Sequence, residues 1–276
     1  NDFLYYLLNI NLNHFKNISS GSATKFLTKK ILDNIIFYLP PLLEQEAIAS
    51  TLSVLDDKIE LNNKINANLE AQAQALFKHW FVDFEFPDEN GKPYKSSGGA
   101  MVESELGMIP EGWEVHRLDE VANITMGQSP KGTSYNENGE GMVFYQGRTD
   151  FSARFPRRRL YTTEPNRIAK KGDILMSVRA PVGDINIANE DCCIGRGLSA
   201  LNSTNNLNSF LLYTMKQLKE KYEFFNAEGT VFGSITQRDL KAMQIIQPSA
   251  DLMKKYDDFA LHLDEMYLAL DTETRV

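Results

Sequence analysis

The side chains best equipped for chemistry in this sequence are cationic, and most of them are gathered in one stretch. Residues 148–179 hold nine Lys or Arg against three Asp or Glu: Arg148, Arg154, Arg157, Arg158, Arg159, Arg167, Lys170, Lys171 and Arg179. The run Arg157-Arg158-Arg159 follows Phe155-Pro156, which favours an exposed loop. Guanidinium groups clustered in this way neutralise phosphates, with binding that weakens as salt rises. A merely solvated basic loop is the plainer reading. Reading base edges needs forked donors and amides, Arg for guanine and Asn or Gln for adenine. Gln128, Lys131, Ser134, Tyr135 and Asn136 on one loop, with Gln146 and Arg148 at a strand end, are of the required types. Thr230 and Phe232 in a Gly-flanked loop, and Arg196 between Gly195 and Gly197, complete the candidates. For each of them taken singly, a structural role is at least as good an account.

Other chemistry finds less support. A base methyltransferase needs a Gly-rich cofactor loop and an Asn/Asp-Pro-Pro-aromatic motif. The nearest stretch, Tyr38-Leu39-Pro40-Pro41-Leu42, lacks the polar residue before the prolines. No Gly-Lys-Ser/Thr loop for ATP is present. His14, His79, His116 and His262 are scattered, so no metal site is expected. Asp184, Glu190 and Asp191 beside Lys or Arg imitate a nuclease cluster, but turn residues and solvated charges are commoner. Cys192 and Cys193 are adjacent, without metal-ligand spacing, and fit a reducing cytoplasm. The chain is expected to bind and not to catalyse, and to hold no cofactor itself. With no run of 18 apolar residues, no membrane span is expected.

The elements that must position these groups are legible in part. The 276 residues carry a net charge of −8. The deficit falls on the predicted helices and linker, whereas 107–248 is close to neutral. Pro40-Pro41 and then Glu44 read as a helix start. From Ile48 a 4-3 spacing continues through Leu52, Leu55, Ile59, Asn62, Asn66, Leu69, Ala73, Leu76 and Trp80, the seam of a coiled coil. About 42 helical residues make a rod on the order of 60 Å. Asn62 and Asn66 either sit in the seam and fix register, or are displaced from it by Leu61 and Ile65. A second heptad helix reads Tyr256, Phe259, Leu263, Met266 and Leu270. Between the two, strands are predicted at 113–118, 121–126, 143–146, 174–178, 185–188 and 242–246. A helix is predicted at 209–225 and a helical turn at 236–240. The expected fold class is α+β, a globular domain of mixed strands and short helices plus two long helices forming an antiparallel coiled coil. Its parts are a tail at 1–40, a spacer helix at 41–84, a linker at 85–106, the globular domain at 107–248 and the second helix at 249–276.

Residues 3–40 are echoed at 211–248. Leu4-Tyr5, Gly21, Thr28, Leu32 and Pro40 align with Leu212-Tyr213, Gly229, Thr236, Leu240 and Pro248 at a constant offset of 208. A supersecondary unit used twice suits a protein that grips two similar things.

Five stretches together resemble the specificity subunit of type I restriction-modification systems. They are Gly107-Met108-Ile109-Pro110-Glu111-Gly112-Trp113 with the loop Met126-Gly127-Gln128-Ser129-Pro130, then Gly172-Asp173-Ile174-Leu175. The others are Leu39-Pro40-Pro41-Leu42-Leu43-Glu44-Gln45 and Leu76-Phe77-Lys78-His79-Trp80-Phe81-Val82-Asp83-Phe84. The resemblance spans nearly the whole chain and implies two target-recognition domains, each followed by a helix. Only the C-terminal tail of the first domain is represented, in residues 1–40. With Asn1-Asp2-Phe3 at the start, a fragment or a natural half-subunit is expected.

By this resemblance the chain is a non-catalytic DNA-specificity subunit. Its partners are double-stranded DNA, methyltransferase (modification) subunits, a restriction subunit and, in the half-subunit case, a second copy of itself. S-adenosylmethionine and ATP are implied for the partner subunits only. A coiled-coil scaffold that touches no DNA is the rival reading.

Overall fold

The computed structural model describes residues 2–21, 25–227 and 233–275. They divide into two compact units, Asn1–Leu69 with Met266–Val276, and Glu70–Glu265.

In the first unit, α1 (Asp2–Ile10) and α2 (Leu12–Ile18) are separated at Asn11, whose amide donates back to the Leu7 carbonyl. Thr28 caps α3 (Lys29–Asp33), its Oγ1 accepting from the Ile31 N–H at 3.2 Å. After Pro40-Pro41 comes α4 (Leu42–Phe77), 36 residues without Gly or Pro and roughly 54 Å long. Only its part up to Leu69 belongs to this unit. Asn62 and Asn66 are 1% and 4% exposed, while Leu61 is 52% exposed, so the asparagines hold the seam. Asn62 Nδ2 donates to Glu273 Oε2 at 2.8 Å, from the last turn of α9 (Ala250–Thr274). Leu69 is buried and Leu270 half-buried, as a seam requires, and Leu52 is half-buried. Ile48, Leu55 and Ile59, also expected in the seam, are exposed. The α9 residues of this unit begin only at Met266, so they face the Asn62–Leu69 end of the seam and not its start.

The second unit begins with the end of α4, which passes through a wide π-helical turn, Lys78–Val82. The linker expected at 85–106 is ordered structure. Phe86 stacks on Tyr94 (4.6 Å) and on Trp113 (5.0 Å), and β1 (Met101–Ser104) pairs with β2 (Gly107–Pro110) as a hairpin. The boundary drawn at 106–107 falls within that hairpin, between its two-residue turn and β2, where Gly107 takes φ +96°. Beyond it run β3 (Glu114–Arg117), α5 (Leu118–Val121), β4 (Ala122–Met126), β5 (Tyr135–Asn136), β6 (Met142–Tyr145) and β7 (Leu160–Thr162). Next come β8 (Ile168–Ala169), β9 (Ile174–Ser177), β10 (Ile185–Ile187), β11 (Cys192–Ile194) and β12 (Leu198–Ser203). The unit closes with α6 (Asn208–Gln217), α7 (Lys219–Ala227), α8 (Gln237–Lys241), β13 (Gln244–Gln247) and most of α9.

One antiparallel sheet has the order β10-β9-β12-β4, and a mixed sheet has the order β5-β7-β6-β11-β8 with β6 and β11 parallel. β13 pairs with β3. Val143, Tyr145, Leu175, Cys192, Ile194 and Leu198 share one core cluster. All residues of β9 and β11 are buried, so neither shows the period-two alternation of a half-solvated strand. β9 was nonetheless expected, at 174–178, while β11 and β12 escaped the sequence reading. The single helix expected at 209–225 is broken at Leu218 into α6 and α7.

Within this unit α4 and α9 are antiparallel. Glu70 and Asp264 converge on one side chain, Arg154, while Tyr256 Oη donates to the Ala73 carbonyl at 2.9 Å. Here the seam is Ala73, Phe77 and Phe81, in place of Leu76 and Trp80. Phe77 lies 5.3 Å from Tyr256, and Phe81 lies 5.1 Å from Phe210, centroid to centroid. Packing these rings removes more apolar surface than Leu76 would. On α9 the buried face is Tyr256, Ala260 and Leu263, followed in the first unit by Tyr267. Phe259 and Met266 are exposed.

The echo at offset 208 holds in the backbone. α3 maps residue for residue on α8, the cap Thr28 on Thr236, and the start of α4 on the start of α9. It fails at β13, whose counterpart, residues 36–39, is not a strand. β13 has β3 to pair with, whereas Ile36 and Tyr38 are 82% and 96% exposed.

Candidate nucleic-acid interface

Three segments of the second unit cross at backbone contact, and glycine is what permits it. A Cβ on Gly127 would stand 2.2 Å from the Gly195 carbonyl oxygen, and one on Gly197 would stand 2.7 Å from that of Gln146. The loop after β4 is fastened there by Gly127 N–H to Leu198 O (2.9 Å) and Gln128 N–H to Ile194 O (3.0 Å). Further bonds draw in more segments. The Arg196 N–H donates to Ser129 Oγ and Asn166 Nδ2 to Ser129 O, both at 3.3 Å. The Ile194 N–H reaches Arg167 O and the Val178 N–H reaches Gly197 O, both at 2.9 Å. Gln128, Gln146, Arg167, Arg179 and Arg196, from five separate segments, are thereby gathered at the ends of β6, β9, β11 and β12. All but the half-buried Gln146 are exposed, as is Lys131 on the same loop as Gln128.

The loop 147–159 beside it is organised by Asp150, a buried carboxylate that the sequence reading overlooked. Its Oδ2 accepts from the Gln146 N–H at 2.6 Å, and its Oδ1 from Arg159 Nη2 at 2.9 Å. The Arg157 N–H donates to the Asp150 carbonyl. Arg148 pairs with Asp184 (2.5 Å), Arg158 is bidentate on Glu190 (2.5 and 2.9 Å), and Lys170 pairs with Asp191 (2.7 Å). The three acids that resembled a nuclease cluster are thus each tied to a different cation. Hydrogen bonding to Lys170 lowers the Asp191 pKa, and hydrogen bonding to Glu190 raises that of Arg158. Solvent-exposed pairs of this kind hold by about 1 kcal/mol or less, so a phosphate oxygen competes with them readily. Lys131, Arg157, Arg167, Lys171, Arg179 and Arg196 have no ion pair among the described residues.

Several expected contacts are corrected. Arg154 is 5% exposed and faces the helices, held by Glu70 and Asp264. Ser134 is buried, its hydroxyl bonded to Lys131 O and Thr162 Oγ1. Tyr135 donates to the Pro130 carbonyl, and Asn136 closes a turn onto Glu140, so both serve the loop's own shape. Thr230 and Phe232 lie outside the described residues. Ser129 and Asn166, which tie the loops together, were missed. The spacing of Gly127, Gly195 and Gly197 was the available signal, legible only once the strands were known to adjoin.

The family described as type I restriction modification DNA specificity domain matches residues 1–71 and 110–261. The chain belongs to this family. The two matched blocks contain the two halves of the 208-residue echo, and each runs into one of the long helices. The type I restriction enzyme MjaX specificity subunit assigned to Methanocaldococcus jannaschii is 38% identical over 264 residues, 91% of this chain. The chain spans 59% of the length of that relative. It spans 62% of the MjaIX specificity subunit of the same organism, at 27% identity over 96% of this chain. Among solved structures, the HsdS subunit of Thermoanaerobacter tengcongensis is 29% identical and superposes with a TM-score of 0.51. That match covers 98% of this chain and 64% of the other. This specificity-family chain therefore shares the neighbours' α+β fold, with mixed sheets, short helices and long helices.

Among the described residues no helix is long and apolar enough to cross a membrane, and no group of three or more His, Cys, Asp or Glu is placed to hold a metal ion.

Proposed function

We propose that this chain is a DNA sequence-recognition (specificity) subunit of a type I restriction-modification complex, reading one half of a bipartite target. The observation that carries this is the gathering of Gln128, Gln146, Arg167, Arg179 and Arg196, from separate segments, around one glycine crossing. Cations there position the duplex through phosphates, and the amides and guanidinium forks read base edges from the major groove. The reading domain extends from the β1–β2 hairpin through β13, a few residues longer at its start than 107–248. The heptad helices serve as spacer and as docking site for methyltransferase subunits. Those subunits would use S-adenosylmethionine, and an ATP-driven restriction subunit would join them. The chain itself supplies recognition and no catalysis.

Charge reversal separates this from a scaffold that touches no DNA. Arg157→Glu, Arg158→Glu and Arg159→Glu together would also strand the buried Asp150. Arg167→Glu, Arg179→Glu and Arg196→Glu avoid that complication. Each cation that meets a phosphate should take about 0.9 from the slope of log affinity against log salt. The triple variant is expected to fold, to keep its protein partners and to lose duplex binding. Duplex binding equal to wild type would overturn the assignment of this face.

A further inference from the structure

Of the nine basic side chains in 148–179, only Arg154 is buried. Its guanidinium spans the helix pair, Nη1 donating to Glu70 of α4 and Nη2 to Asp264 of α9. The carboxylates have further partners. Lys216 pairs with Glu70, and Ser209 Oγ donates to Asp264 Oδ2 at 2.8 Å. Two cations and two carboxylates leave the cluster neutral.

The backbone around Arg154 is fastened as well. The Ile187 N–H of β10 donates to the Arg154 carbonyl at 2.9 Å, and Ser152 exchanges two bonds with the Asn186 side chain, at 3.0 and 3.1 Å. A few residues to either side, Arg148, Arg157, Arg158 and Arg159 point outward. The loop is therefore pinned on its inner side to a sheet edge and to both helices, and presents its cations on the outer side.

Stability alone is a poor account of this arrangement. The cost of drying the ions largely cancels their attraction, and an apolar side chain would fill the space as well. A planar fork between two helices does supply a fixed distance and angle, which a point charge does not.

We propose that Arg154 is a positioning residue for DNA recognition. By clamping Glu70 and Asp264 it sets where loop 147–159, and hence the outward arginines, stand relative to the helix pair. This rests on the DNA reading above.

The test uses the full 276-residue chain and a fluorescein-labelled duplex of random sequence. Arg154→Lys keeps the charge but cannot span both carboxylates. The quadruple variant Arg154→Met, Lys216→Met, Glu70→Gln and Asp264→Asn removes all four charges of the cluster together and leaves neither an acid nor a base stranded, so it decides the matter if the single variant fails to fold. In a folded variant, amide exchange across 147–159 should rise. Duplex affinity should fall about tenfold, the weight of one well-placed contact. Wild-type affinity in the folded variants overturns the positioning role. So does a loss of affinity with exchange unchanged, because Arg154 would then be touching DNA itself. If the wild-type chain ignores the duplex, the underlying DNA reading falls instead.

Discussion

At the scale of single residues, charge sign was a sound guide and destination was not. Nine cations in 32 positions marked the basic stretch, yet only the structure separates Arg154, between two helices, from Arg157, three residues on and exposed. Every Arg in the run looks alike locally, and the carboxylates that claim Arg154 lie 84 and 110 positions away. The adjacent cysteines are free and buried, small apolar residues of the core. Burial, reinforced by Glu190 and Cys193, pushes the Cys192 thiol up to about 12. A raised pKa keeps the neutral thiol the dominant form up to strongly alkaline pH. Native protein at pH 8 should therefore resist iodoacetamide at Cys192, and reaction should follow unfolding in urea. Labelling of folded protein as fast as that of a free thiol would contradict the burial.

Helices and strands show a sharper contrast. Pro40-Pro41 and Glu44 located the start of α4 within a residue or two, and the helical turn expected at 236–240 located α8, because those signals act within one or two turns of chain; α3 was not foreseen. Of the two seam readings, the asparagine one holds. A buried Asn in a seam costs stability and fixes register. Asn62→Leu should thus stabilise the chain, by about 1 kcal/mol from the apolar burial gained and the amide no longer dried. A lowered thermal midpoint would show instead that the bond from Asn62 to Glu273 outweighs the burial. The seam shift to Phe77 and Phe81 was not legible, since it depends on Phe210, Tyr213 and Tyr256 being waiting partners. Of the strands buried on both faces, β9 was foreseen and β11 was not, as the alternation that announces a strand requires one wet face and neither offers it.

For the molecule as a whole, the repeat is the organising fact. One helical motif, with its Thr cap and its run into a long helix, is built twice at a spacing of 208 residues. If the helices space two reading domains, helix length sets the gap between half-sites. Deleting one heptad near residues 62–68 should change that gap in a methylation map while leaving the half-site sequences as they were. An unaltered gap would remove the spacer role.

What the sequence by itself determined was whatever depends on near neighbours: helix starts and caps, heptads, the echo, and the location of the basic stretch. Its resemblance to the specificity subunits also rested on short local motifs, read in order. Only the tertiary structure decided which arginines face outward, which acids neutralise which bases, and which loops meet at the glycine crossing. Those outcomes hang on contacts between residues tens of positions apart. Their energies come from desolvation and fixed geometry, and neither is written in any short window of chain.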